Sequence, residues 1–183
     1  MNKFYTQTGD DGYTGLLSEG RVPKYDLRIE TIGCIDEATA ALGLARSLCE
    51  NERNRRLLIQ VQRDLYHLMA EIAALPENAA HFRVIDAGRV AWIEAQTDEI
   101  SEEIGKLRDF IIPGDSPGSA ALSLARNIVR RAERRAAQLY HNQEIENEEL
   151  LRYLNRLSSL CFVLEVAEAR SAGNASPTLA KES

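Results

Sequence analysis

The chain has little cysteine. Cys34, Cys49 and Cys161 are an odd number, widely spaced, with no C-x-x-C, which argues against a disulfide frame or a zinc site and fits reduced thiols in a cytoplasmic protein. Long apolar runs are absent, as is the apolar h-region of a signal peptide, so no membrane role is expected. Positive charge is also short. Lys and Arg total 22 against 28 Asp and Glu, a net charge of −6, which argues against general nucleic-acid binding. No G-x-x-x-x-G-K-[ST] occurs, which excludes a Walker A loop. Asp64 and His67 form one carboxylate-x-x-His pair, but a di-iron bundle needs a second. His81 falls in a loop and His141 at a helix end, so that metal reading is set aside and His67 is assigned to a packed or interfacial face.

What remains suits one soluble domain over residues 1–172. The 183 residues are 44% hydrophobic and 27% charged, enough for a core without disulfides. Five segments have apolar residues at helical spacing. The first is "CIDEATAALGLARSLCE", the second runs from about Arg53 to Leu75, and the third from about Asp86 to Ile104. The fourth spans about Ser119 to His141 and the fifth about Asn147 to Arg170. Pro76 and Gly105 end the second and third, and Pro113, Gly114, Pro117 and Gly118 break the loop before the fourth. Short connections imply an all-α, antiparallel five-helix bundle with a polar, loop-like N-terminal segment over residues 1–30. Residues 173–183 are small and polar, the composition of a disordered tail.

Three features do not belong to a plain bundle. "YTQTGDDGYTG" is either a hairpin turn at Asp11-Gly12 or a loop that wraps an anion with backbone N–H groups and hydroxyls. In "ALSLARNIVRRAERRAAQL", Arg126, Arg130 and Arg134 share one helical stripe beside Glu133, with Arg131 and Arg135 on a neighbouring one. Such a run is either a solvated face or an anion site, and five arginines without a lysine favour the planar forks that grip phosphate or carboxylate. Asn155 and Arg156 interrupt an apolar row, and Asn155 needs a ligand or a helix–helix partner. Phe110 either tucks its Pro/Gly loop onto the bundle or faces a ligand. Asp36 is otherwise an acid favoured near a helix start.

Together, "YTQTGDDGYTGLL", "GRVPK", "GCIDEATAALG", "FIIPG", "SAALSLARNIVRRAERR" and "RYLNRLSSLCF" occur in the order found in PduO-type ATP:cob(I)alamin adenosyltransferases, which residues 4–170 resemble. The resemblance implies a homotrimer of five-helix subunits that transfers the 5′-deoxyadenosyl group of ATP to the cobalt of cob(I)alamin and releases triphosphate. It implies an ATP site at subunit interfaces built from Thr6, Gln7, Thr8, Gly9, Thr14, Gly15, Lys24, Arg130, Arg131, Glu133, Arg134 and Asn155. Phe110 would press on the corrinoid's lower face, and Asp36 with Arg126 would link subunits beside it. Phe110, Arg130, Asp36 and Arg126 are thus the expected catalytic set. Mg²⁺ would arrive on ATP rather than on protein ligands, and a cobalamin reductase and an adenosylcobalamin-dependent enzyme are candidate partners. The chain departs from the family pattern at Gln7, Thr39, Asp115, Ser123 and Ser159. The competing expectation is a weak or inactive trimeric nucleotide- or corrinoid-binding protein, a carrier or sensor.

Overall fold

The computed structural model describes residues 4–107, 109–173 and 176–181. Its elements are a hairpin, β1 (Tyr13–Leu16) and β2 (Ser18–Pro23), followed by α1 (Leu27–Leu48) and α2 (Glu52–Ala73). A one-turn helix α3 (Pro76–Ala79) and a short 3-10 turn lead to α4 (Ala87–Ile104), α5 (Pro117–His141) and α6 (Glu149–Ser171). The five long helices are those expected from the apolar spacing. Among the described residues no helix is long and apolar enough to cross a membrane.

Helix ends follow local chemistry. Asp26 caps α1 by accepting from Arg28 N–H, so α1 starts well before the apolar stretch "CIDEATAALGLARSLCE". Asn51 and Asp86 cap α2 and α4 in the same way, each satisfying a donor the helix leaves open. At α5, Ser116 and Ser119 form a reciprocal capping box. Pro117 and Gly118 were expected to break the chain, yet both lie in the first turn of α5. Proline is suited there because its missing N–H has no intrahelical partner. Gly118 is required by packing: a Cβ would stand 2.8 Å from Glu168 Cγ and 3.0 Å from the Leu48 carbonyl.

The helices pack in the order α2, α1, α5, α6, α4, and the ion pairs Arg53–Glu99 and Arg89–Asp64 close the ring between α2 and α4. The first four run alternately up and down. Five alternating helices cannot close a ring without one parallel pair, and α4 beside α6 is that pair: Glu94 meets Arg156 and the Glu103 and Ile104 carbonyls meet Arg170. Ile35, Leu42, Leu58, Leu65, Ile93, Leu122, Leu157 and Leu164 fill the centre, all fully buried.

Buried polar groups are knitted together. Asp64 Oδ2 accepts from Arg89 Nε at 2.8 Å and Tyr153 Oη at 2.6 Å, so the carboxylate considered for a metal is spent on the fold. Arg28 donates to the carbonyls of Ile72, Ala74 and Glu144, closing the end of α2. Cys34, Cys49 and Cys161 are free and buried, and burial pushes the thiols of Cys49 and Cys161 up to about 12. They remain protonated packing groups.

The expected tail is partly built. Residues 176–181 return along the Phe110 loop, with Ile111 opposite Leu179 in an antiparallel bridge. The pairing is made by backbone hydrogen bonds, Ile112 N–H to the Thr178 carbonyl and Ala180 N–H to the Phe110 carbonyl, which need no apolar pattern in the sequence. The rest of that tail, 174–175 and 182–183, lies outside the described residues.

Candidate functional site

The amino-terminal loop is folded by one cation. Arg21 on β2 donates to both oxygens of Asp11 and to the carbonyls of Thr8 and Tyr13, and its guanidinium holds the Asp11 carboxyl below its ordinary value. Asp11 in turn accepts from Tyr13 N–H. The chain reversal of the hairpin lies at Leu17, between the strands. Asp11-Gly12 therefore closes a separate loop ahead of β1, not the hairpin turn, and Gly12 at φ +80° supplies the left-handed corner. Gln7 also takes φ +61°. The hydroxyls of Thr6 and Thr8 lie 2.9 Å apart, and a Cβ on Gly9 would stand 3.1 Å from Lys24 Nζ. Thr6, Thr8, Gly9 and Lys24 are thus brought together, with Thr14 and Gly15 on the adjoining strand. A mostly exposed cluster of hydroxyls, backbone and one ammonium can receive an anion.

The second group lies on α5 and α6. Arg131 pairs with Glu37 and Arg135 lies 3.9 Å from Glu30, both acids on α1. Arg130 and Arg134 are exposed and form no salt bridge among the described residues. The five arginines therefore divide: one stripe ties α5 to α1, and the other offers charge outward. For Arg131 to reach a nucleotide it would have to leave Glu37. Asn155 donates to Glu133 at 2.8 Å and accepts from Arg156 at 2.8 Å, while Arg156 is anchored on Glu94 at 2.7 Å. This chain across α4, α6 and α5 fixes the Asn155 amide beside the arginine stripe. Arg156, Glu94 and Arg21 were missed as site-building residues. Arg156 had its adjacency to Asn155 as a signal, whereas Glu94 and Arg21 had none, because their partners are distant along the chain.

Between these elements and the loop after α4 is a cavity of about 510 Å³, lined by Leu107, Phe110, Ile111, Ser123, Phe162 and Glu165 among others. A second of about 460 Å³ joins it through Arg126 and Phe162 and reaches Arg130 and Ser159. Phe110 is 82% exposed, so it does not tuck the loop down. Ile111 does, packed against the core. Arg126 lies over the Phe162 ring at 5.5 Å. Burial raises the Glu165 carboxyl, a shift partly offset by the Ser123 hydroxyl and the Arg126 charge. Asp36 is exposed on α1, and within the chain no ion pair joins it to Arg126 among the described residues. Nor does any hydrogen bond or ion pair join residues 6–15 to α5 or α6 among those residues.

An outward arginine stripe and an oriented amide suit an anionic group, and the neighbouring cavity with its exposed aromatic suits a partly apolar ligand. Comparison with known proteins gives the same direction. Residues 4–168 match the model of the family described as cobalamin adenosyltransferase. The chain is 38% identical over 169 residues to the corrinoid adenosyltransferase PduO of Citrobacter freundii, covering 92% of this chain and 50% of that one. It spans about half the length of that relative and of its Salmonella typhimurium counterpart. It is 37% identical to the Bacillus subtilis corrinoid adenosyltransferase, covering 92% of this chain and 88% of that one. A solved phenylalanine-to-alanine variant of the Lactobacillus reuteri PduO-type ATP:corrinoid adenosyltransferase, complexed with cobalamin and ATP, superposes with a TM-score of 0.85. Its identity is 28%, over 99% of this chain and 100% of that one.

Proposed function

Because this chain belongs to the cobalamin adenosyltransferase family, we propose that it transfers the 5′-deoxyadenosyl group of ATP to the cobalt of cob(I)alamin. The observation that supports this most is the division of the arginines. Arg130 and Arg134 form no salt bridge among the described residues, and Arg130 lines a cavity that adjoins the one where Phe110 stands exposed.

In this reaction a cobalt–carbon bond forms at the ribose C5′ as the C5′–O bond breaks. The electron pair departs with the triphosphate, and no proton need move. The chain's residues therefore position substrates and stabilise the leaving charge. Arg130 and Arg134 grip phosphate oxygens with planar forks, Lys24 and the Thr6–Gly9 loop supply further donors, and Asn155 offers its oriented amide. Glu133 lies beside that stripe and accepts from the Asn155 amide. Mg²⁺ would arrive on ATP and be held mainly by the triphosphate. Phe110 crowds one face of the corrinoid and excludes an axial ligand from cobalt.

No hydrogen bond or ion pair joins the loop of residues 6–15 to the α5 stripe among the described residues, which supports an ATP site completed by a second subunit of a homotrimer. Asp36 and Arg126, unpaired with each other in the chain, fit a bridge across that boundary.

Mixing the protein with ATP, Mg²⁺ and reduced cobalamin should give the adenosylcobalamin spectrum. Phe110→Ala should slow conversion that begins from cob(II)alamin more than conversion of preformed cob(I)alamin. ATP binding without turnover would instead mark a carrier or sensor.

A further inference from the structure

Asp115 is one of the positions where the chain departs from the family pattern, and the reaction gives it no task. The structure gives it one. Its Oδ2 accepts from Thr178 N–H at 3.0 Å and its Oδ1 from the Thr178 hydroxyl at 2.6 Å. Thr178 is thereby seated at the start of a short strand that pairs with the Phe110 loop. Ile112 N–H donates to the Thr178 carbonyl at 2.8 Å, and Ala180 N–H donates to the Phe110 carbonyl at 2.8 Å. Lys181 Nζ lies 3.8 Å from Asp109 at the far end, an exposed pair of little consequence.

The register of this pairing decides where Phe110 points. Side chains alternate faces along a strand. Ile111, opposite Leu179, is packed inward against the core, so its neighbours Phe110 and Ile112 must turn outward, and both are exposed. A slip of one residue would bury Phe110 and expose Ile111. The loop has no other regular partner among the described residues to fix that choice.

We propose that Asp115 and Thr178 are positioning residues: they lock the carboxy-terminal segment 178–180 onto the loop, and that pairing holds Phe110 exposed at the rim of the cavity. The proposal rests on the reading of Phe110 as the residue that meets the corrinoid. It needs no ligand to be tested structurally.

Three variants of the full chain separate the possibilities: deletion of residues 174–183, Thr178→Val, and Thr178→Ser, which keeps the hydroxyl. First, amide exchange is followed in ligand-free protein. The Ile112 amide should be protected in the wild type and in Thr178→Ser. It should exchange at least about tenfold faster in the deletion, as expected when an opening segment loses its partner. The amides of α1 and α6 should be unchanged, showing an intact fold. Second, adenosylation is compared from cob(II)alamin with reductant and from preformed cob(I)alamin. Thr178→Val should lose about fivefold, the worth of a hydrogen bond, in the first assay and little in the second, with Thr178→Ser near wild type. Unchanged Ile112 exchange in the deletion would overturn the lock. A changed exchange with equal loss in both assays would overturn the link to Phe110. If the wild type forms no adenosylcobalamin at all, it is the functional reading that fails, while the exchange result still decides the lock.

Discussion

Asp64 and Arg130 mark two regions that use charge in opposite ways. In the seam around Asp64 every strong group has a protein partner: Arg89 and Tyr153 hold the carboxylate, and Arg89 also lies 3.9 Å over the Trp92 ring. On the outer face of α5, Arg130 and Arg134 have none among the described residues. The seam can contribute to folding but has nothing left to offer a ligand. The stripe contributes little to folding and retains its full capacity for an anion. On the proposed reading, what sets Arg130 and Arg134 apart is that their free charge lies on one stripe beside the cavities, in a protein that is acidic overall.

The largest expected effect lies in the seam. Asp64→Ala leaves Arg89 and Tyr153 facing a hole and should cost on the order of 3–5 kcal/mol, the cost of breaking a buried pair. Urea unfolding measures it, and ATP affinity should be unchanged wherever the variant is folded. A loss of ATP binding without a loss of stability would break the contrast. Next is Arg130→Ala, which should lower kcat/KM for ATP by about 100-fold, equivalent to roughly 2.7 kcal/mol. Its unfolding free energy should move by no more than about 0.5 kcal/mol.

Most of this contrast was legible in sequence only as composition. The helices were readable because their apolar residues recur at helical spacing, and Arg126, Arg130 and Arg134 fell on one stripe for the same reason. What spacing does not encode is which acids lie across the groove. Glu37 and Glu30, about ninety-five and one hundred and five residues away from Arg131 and Arg135 along the chain, neutralise those two and leave the others. Gly118 was misread because a breaker in a loop and a small residue in a crowded first helical turn look alike until Glu168 and Leu48 are placed beside it. The strand at Thr178 was invisible because its pairing is made by backbone.

Smaller effects sharpen the contrast. Gly9→Ala puts a methyl against Lys24 Nζ, the end of a flexible side chain. Stability should hold while KM for ATP rises about threefold, near 0.6 kcal/mol. The smallest concerns Glu165 at the cavity floor. Burial raises its folded-state pKa, so its stabilising contribution is full below the unfolded pKa of about 4.3 and is lost as pH rises through the folded value. At pH 7 the ionised group therefore costs stability. Glu165→Gln should be slightly more stable than wild type at neutral pH, and the gain should shrink as pH falls toward that unfolded value. A gain independent of pH, in melts from pH 7 downward, would show that repacking and not charge was responsible.

The central claim is that the unpaired stripe holds the triphosphate, and calorimetry with inorganic triphosphate tests it most directly. The wild type should bind it in competition with ATP, and the Arg130→Ala/Arg134→Ala double variant should bind at least about 100-fold more weakly while melting as the wild type does. Equal affinity in the two proteins would contradict the claim.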